Sequence, residues 1–225
     1  MTLGPAQRRS VLFSLTGSFG LLWLLLAIEP LDRHTWLLEN VLLVPASAIL
    51  FATWRVQPLS LGSCISLFLF FSLHAIGAHF TYSLVPYDEA FRGLSGQSLN
   101  SLLGFTRNHY DRLVHLAYGL LIFPPIREMF MLHAKVRGFW SYLLPLDFIM
   151  STSAIYELLE WASAIAFGGD VGAAFLGTQG DEWDAQRDMG LAGLGSVIAI
   201  VITLAINVRR RGNGTQSSNQ SVAAP

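Results

Sequence analysis

Charge is scarce in this chain. Asp, Glu, Lys and Arg make up 13% of its 225 residues, 52% are hydrophobic, and the mean hydropathy is +0.48. A soluble domain is about one quarter charged, so the balance excludes an ordinary soluble class and points to a membrane. The net charge of −1 leaves no basic surplus for nucleic acid. The single cysteine, Cys64, rules out an internal disulfide and reads as a small apolar packing residue. No G-x-S-x-G, H-E-x-x-H, P-loop or C-x-x-C string occurs, so the known motif-bearing hydrolase and transporter classes gain no support. The first apolar run is expected to be a helix rather than a cleavable leader. Arg8 and Arg9 precede an apolar run, but Ile28-Glu29-Pro30-Leu31 lacks the small residues a signal peptidase needs.

What the chain has instead is six apolar stretches. They are Val11–Ile28, Trp36–Trp54, Leu59–Leu84, Asn108–Phe123, Leu144–Phe167 and Met189–Val208. A hydrocarbon core of about 30 Å takes about 20 helical residues, and lipid tolerates no open sheet edge. The expected fold is an all-α, polytopic membrane bundle of six transmembrane helices, residues 1–211 forming one domain. Residues 212–225, rich in Gly, Asn, Ser and Gln, read as a disordered cytoplasmic tail.

Six spans put both termini on one side. That side carries Arg8, Arg9, Arg55, Arg127, Lys135, Arg137 and Arg209–Arg211, and the opposite loops carry Glu29, Asp32, Asp88, Glu89, Asp170, Asp181, Glu182 and Asp184. The positive-inside rule makes both termini cytoplasmic. Two longer loops, Val85–Arg107 and Gly168–Arg187, then lie outside, and the Ala173–Leu176 run in the second has the composition of a lid. Pro124-Pro125 predicts the end of the fourth span or a sharp kink, with Ile126–Tyr142 as an interfacial segment. Pro145 predicts a helix start, which places Asp147 in a first turn where a negative charge is favoured.

The few ionisable groups inside the spans gather at the outer end. A helical period puts Asn108, Asp111, His115 and Tyr118 on one face, Glu157 and Glu160 on another, and Asp181, Asp184 and Asp188 in line with Ala192, Gly195 and Ala199. On the third span Ser72, Ala75, His79 and Ser83 form a stripe beside Tyr82, with His74 turned to nearly the opposite face. Intramembrane ionisable groups are costly and mark function when they converge. Carboxylates one turn apart repel unless they share a proton or a cation. A divalent metal held by Glu157, Glu160, His115 and His79 is therefore a live expectation.

Three strings carry a family resemblance: Asn108-His109-Tyr110-Asp111-Arg112-Leu113-Val114-His115, Glu157-Leu158-Leu159-Glu160-Trp161, and Phe175-Leu176-Gly177-Thr178-Gln179-Gly180-Asp181-Glu182-Trp183-Asp184-Ala185-Gln186-Arg187-Asp188-Met189. On these the chain resembles the YjdF-like family of bacterial inner-membrane proteins. The resemblance implies a multi-pass bacterial inner (plasma) membrane protein and carries over no reaction, ligand or catalytic residue.

Three functions are open at this point. The first is a membrane-embedded enzyme acting on a lipid or lipid-linked headgroup in the outer leaflet. Asp111, His115, Glu157, Glu160, Asp184 and Asp188 would be its catalytic or metal-bearing set, with Arg112, His79, Tyr82, Asn108, Gln179 and Asp181 on the ligand. The second is a proton or cation carrier, which needs polar residues continuing inward where the spans are apolar. The third is a structural membrane protein whose polar network fixes helix register. The sequence does not show the oligomeric state.

Overall fold

The computed structural model describes residues 4–41, 43, 59–167 and 178–222, and every regular element among them is a helix. In chain order these are α1 (Pro5–Leu26), α2 (Leu61–His79), α3 (Tyr87–Ser95), α4 (Leu99–Leu103), α5 (Tyr110–His133), α6 (Trp140–Phe167) and α7 (Asp184–Val222). Residues 33–41 are also helical, and Asp32 caps them by accepting the Thr35 N–H at 2.6 Å. The inner half of the expected second span and the Ala173–Leu176 run lie outside the described residues.

Among the described residues four helices are long and apolar enough to cross a membrane: α1 from Ala6, α2, α5, and α7 as far as Arg209. At 28 residues α6 also has the length, but it carries Asp147, Glu157 and Glu160. The faces turned outward suit lipid, with Leu21 and Leu24 on α1 and Val201 and Ile202 on α7 exposed. Exposed Trp183 stands at one end of the bundle and exposed Phe139 and Trp140 at the other, as in the aromatic belts of membrane interfaces.

Helix α5 is central and packs against α2, α6 and α7, while α1 rests on α2. Lipid tails are as apolar as leucine, so helices in a membrane associate through close packing rather than through burial. The α5–α7 contact follows that rule. A β-carbon at Gly119 would land on the Ala192 carbonyl, and one at Gly195 on the Leu116 carbonyl. The Ala192–Gly195–Ala199 line read from the sequence is thus the seam on which α7 meets α5. Below it, Phe123 and Ile149 are fully buried together with Ala192 and Ala199.

The two ends differ in chemistry. At one end Glu128 of α5 accepts from the Ser60 N–H at 2.7 Å and the Ser60 hydroxyl at 2.8 Å, where Ser60 caps α2. Arg8 reaches the Leu59 carbonyl, Arg127 lies 4.5 Å over the Tyr142 ring, and Asn207 donates to the Tyr142 hydroxyl at 3.2 Å. The start of α1 and the later part of α7 are therefore at the same end. The other end holds α3, α4 and the acidic groups.

Three local expectations are corrected. Pro124 and Pro125 do not end a helix, because α5 runs through them to His133. Phe123 and Pro125 are buried in the core at this point of the helix. No separate interfacial segment spans 126–142, since Ile126–His133 belongs to α5 and α6 begins at Trp140. Pro145 therefore sits inside α6 rather than at its start, and Asp147 is an exposed residue beyond the first turn.

Candidate functional site

The acidic end is built by α5, α6 and α7 together with 33–41. On α5, Asp111 and His115 are one turn apart, and His115 Nε2 lies 3.5 Å from Asp111 Oδ1. The same nitrogen is 3.6 Å from Glu157 Oε1 of α6. The glycine seam draws α7 close enough for Asp188 to join them. Asp111, His115 and Asp188 each offer a ligand atom, and these atoms all lie within 4.8 Å of one another. Asp188 is 2% exposed and His115 8%.

Two carboxylate oxygens in this chamber, Glu157 Oε1 and Asp188 Oδ1, are buried without a hydrogen-bond donor. No Arg or Lys comes within ion-pair distance of Asp111, Glu157 or Asp188 among the described residues; only His115 does so for Asp111 and Glu157. Glu160 is partly buried on α6, one turn from Glu157. Buried acids in such number need protons or a cation between them.

A rim of arginines closes the chamber from outside. Arg107 pairs with Asp184, and Arg112 with Asp181 and, at 3.5 Å, with Asp184; Arg187 also pairs with Asp181. Partial desolvation raises the Asp181 carboxyl, but the Trp183 N–H and then the three guanidiniums overcome it and hold its pKa below the usual range. The rim is tied down by amide exchange. Asn108 N–H donates to Gln179 Oε1 and Gln179 Nε2 to the Asn108 carbonyl, both at 3.1 Å. Asn108 also donates to the Val85 carbonyl at 2.9 Å.

The structure thus brings together Asp111, His115, Glu157 and Asp188, and sets Asp181, Asp184, Arg112, Asn108 and Gln179 in the rim above them. Asp184 and Arg112, expected on a metal or a headgroup, have each other and their neighbours as partners. His79 stands apart, with Nδ1 2.8 Å from the Leu26 carbonyl at the end of α1.

Two groups enter that the sequence reading left out. His74, expected on the wrong face, is buried beside the chamber, with Nδ1 2.5 Å from the Tyr82 hydroxyl and Nε2 3.3 Å from the Glu39 carbonyl. Glu39 is 2% exposed, and its Oε2 accepts from the Tyr156 hydroxyl at 2.7 Å. The signal for Glu39 was present, a lone acid within an apolar run. The Tyr82 ring packs on Gly77, where a β-carbon would come within 2.6 Å of it.

A cavity opens below the chamber, lined by His74, Tyr82, Asp111, His115 and Tyr156 at the acidic end and by apolar side chains of α2, α5 and α6 further down.

Comparison with known proteins gives two matches. A model of the family described as predicted membrane protein (DUF2238) covers residues 11–209. The inner membrane protein YjdF of Escherichia coli (strain K12) is 34% identical over 180 residues, covering 80% of this chain and 82% of that protein. No solved structure matches.

Proposed function

The chain belongs to the DUF2238 family of predicted membrane proteins, and on that premise we propose a multi-pass inner-membrane enzyme that acts on a lipid or lipid-linked headgroup at a divalent metal. In this reading six helices span the bilayer, both termini are cytoplasmic, and the chamber lies in its outer half. The relative's name supports the inner membrane, and the grouping of Arg8 and Arg127 at the end opposite the acids supports the orientation.

One observation carries the metal: Asp111, His115 and Asp188 hold ligand atoms within 4.8 Å of one another beside two buried carboxylate oxygens that have no donor. Mixed carboxylate and imidazole ligands suit Zn²⁺ or Mn²⁺. Asp111, His115 and Asp188 would hold the ion, with Glu157 as a fourth ligand or as a base. When bound, the metal supplies Lewis acidity and a more acidic water. His115 is held between Asp111 and Glu157, and the arginine–aspartate rim limits water entry from outside.

A proton or cation path draws less support, because past Tyr118 the cavity walls are apolar as far as His133. Elemental analysis of protein purified without chelator tests the proposal. About one Zn²⁺ or Mn²⁺ per chain is expected, reduced at least about tenfold by Asp188→Asn, since lost ligands and their supports typically cost 10–100-fold in affinity. Metal-free wild type that takes up no metal on titration rejects it.

A further inference from the structure

We infer that the cavity below the acidic chamber holds one hydrocarbon chain of a membrane lipid, with the lipid's polar end at Asp111 and His115 and the tail directed toward His133. The inference rests on the reading of the chamber as a lipid-headgroup site and names what lies beneath it. The cavity volume is about 650 Å³. At about 30 Å³ for a water-sized group, this is room for roughly twenty such groups, which is one chain and not a pair.

Its lining is polar at the chamber end and largely apolar over the rest of its length, with His133 at the far end. Beyond Tyr118 the walls are Ile122, Ile126, Met129 and Phe130 of α5 with Phe148 of α6. Of the three hydroxyls on the way, Tyr118 and Thr152 bond each other at 2.5 Å and Thr152 also donates to the Phe148 carbonyl at 2.7 Å, while the Ser153 hydroxyl has no partner among the described residues. From Asp111 to Phe130 the helix rises about 28 Å, nearly the full hydrocarbon thickness of about 30 Å. A largely apolar cavity takes apolar guests, whereas an ion along its middle would meet no charged side chain. A hydrocarbon tail is the occupant that matches length, width and chemistry, and it would bring its own headgroup to the metal chamber.

Acyl and polyprenyl chains share this chemistry, so two probes are used on the full chain in nanodiscs. One is a monoacyl phosphatidylethanolamine with a diazirine near the chain end, the other a polyprenyl phosphate with the same group. Photolabelling is mapped by mass spectrometry. Label from either probe between Ile122 and Phe130 or at Phe148 is expected, and the productive probe identifies the chain type. Ile126→Trp and, independently, Met129→Trp should cut that label about tenfold or more, because the ring fills the space, with thermal unfolding confirming that each variant is folded. Label confined to outward α1 positions such as Leu21, or unchanged in both folded variants, overturns the inference. Metal content read in parallel separates the two proposals: label without metal keeps the chain site and removes the metal reading, and metal without label does the reverse.

Discussion

At the scale of single residues, the acidic end depends on which buried oxygens have donors. Glu39 has one, the Tyr156 hydroxyl at 2.7 Å; Glu157 and Asp188 each have an oxygen with none. Tyr156→Phe would strip the donor and leave another buried acceptor unmatched, at about 1–3 kcal/mol. Replacing both partners removes the orphan, so Glu39→Leu with Tyr156→Phe should unfold later than Tyr156→Phe alone, in thermal denaturation monitored in detergent. Additive losses in the double variant would show that this bond does not hold 33–41 against α6. Glu39 was legible from the sequence as an isolated charge. The role of His74 was not. At about 100° per residue His74 and His79 point to different sides of α2, and a single polar face was assumed. Helix α2 is in contact on both sides, so His79 meets α1 while His74 meets the cavity.

At the scale of elements, small residues decide which helices touch. Gly119→Ala or Gly195→Ala drives a β-carbon into a backbone carbonyl of the facing helix, and no rotamer relieves a clash with backbone. A loss of at least about 1–3 kcal/mol is expected, the usual cost of overpacking, together with loss of bound metal as Asp188 moves away from His115. Gly17→Ala on α1 meets nothing within 4 Å and should be neutral or stabilising by up to about 1 kcal/mol. Equal melting of the three variants would remove the seam as the organiser of the site. The short helices α3 and α4 are held by Asp88, which accepts from the Asn100 N–H at 2.8 Å and from Ser98 and Arg92. The Asn100 bond, ahead of the others, lowers its pKa. A lowered folded pKa gives stability that is present above the unfolded carboxyl value of about 4 and is lost as pH falls through the folded one. Hydrogen exchange across 87–103, corrected for intrinsic rates, should therefore accelerate below about pH 4, and Asp88→Asn should abolish that pH dependence. The approximate places of α1, α2, α5, α6 and α7, the α7 small-residue line and the Asp111–His115 pair were legible locally, whereas α3 and α4 lie in a stretch that read as a loop. The passage of α5 through Pro124-Pro125 was not, because burial of Phe123 and Pro125 outweighs a local rule that sees only the missing N–H groups.

At the scale of the whole molecule, the two ends of the bundle carry different charged groups. The sequence put Lys and Arg on one side and acids on the other, and the structure gathers Arg8, Glu128, Arg127 and Asn207 at one end and the chamber with its rim at the other. The pairing of Asp184 with Arg107 could not be read ahead, since it joins residues far apart in sequence through a contact that only the assembled bundle creates. Orientation in the bilayer is expected from the excess of Lys and Arg on one set of loops. It is checked in a Cys64→Ser background with single cysteines placed at Gln97, beside α3, and at Lys135, after α5. In intact cells a membrane-impermeant maleimide should label position 97 and spare position 135, and permeabilised cells should label both. The reverse pattern would turn the chamber to the cytoplasm. It would also reassign the substrate to the inner leaflet, because the carboxylates and the arginine rim lie on the same side as Gln97.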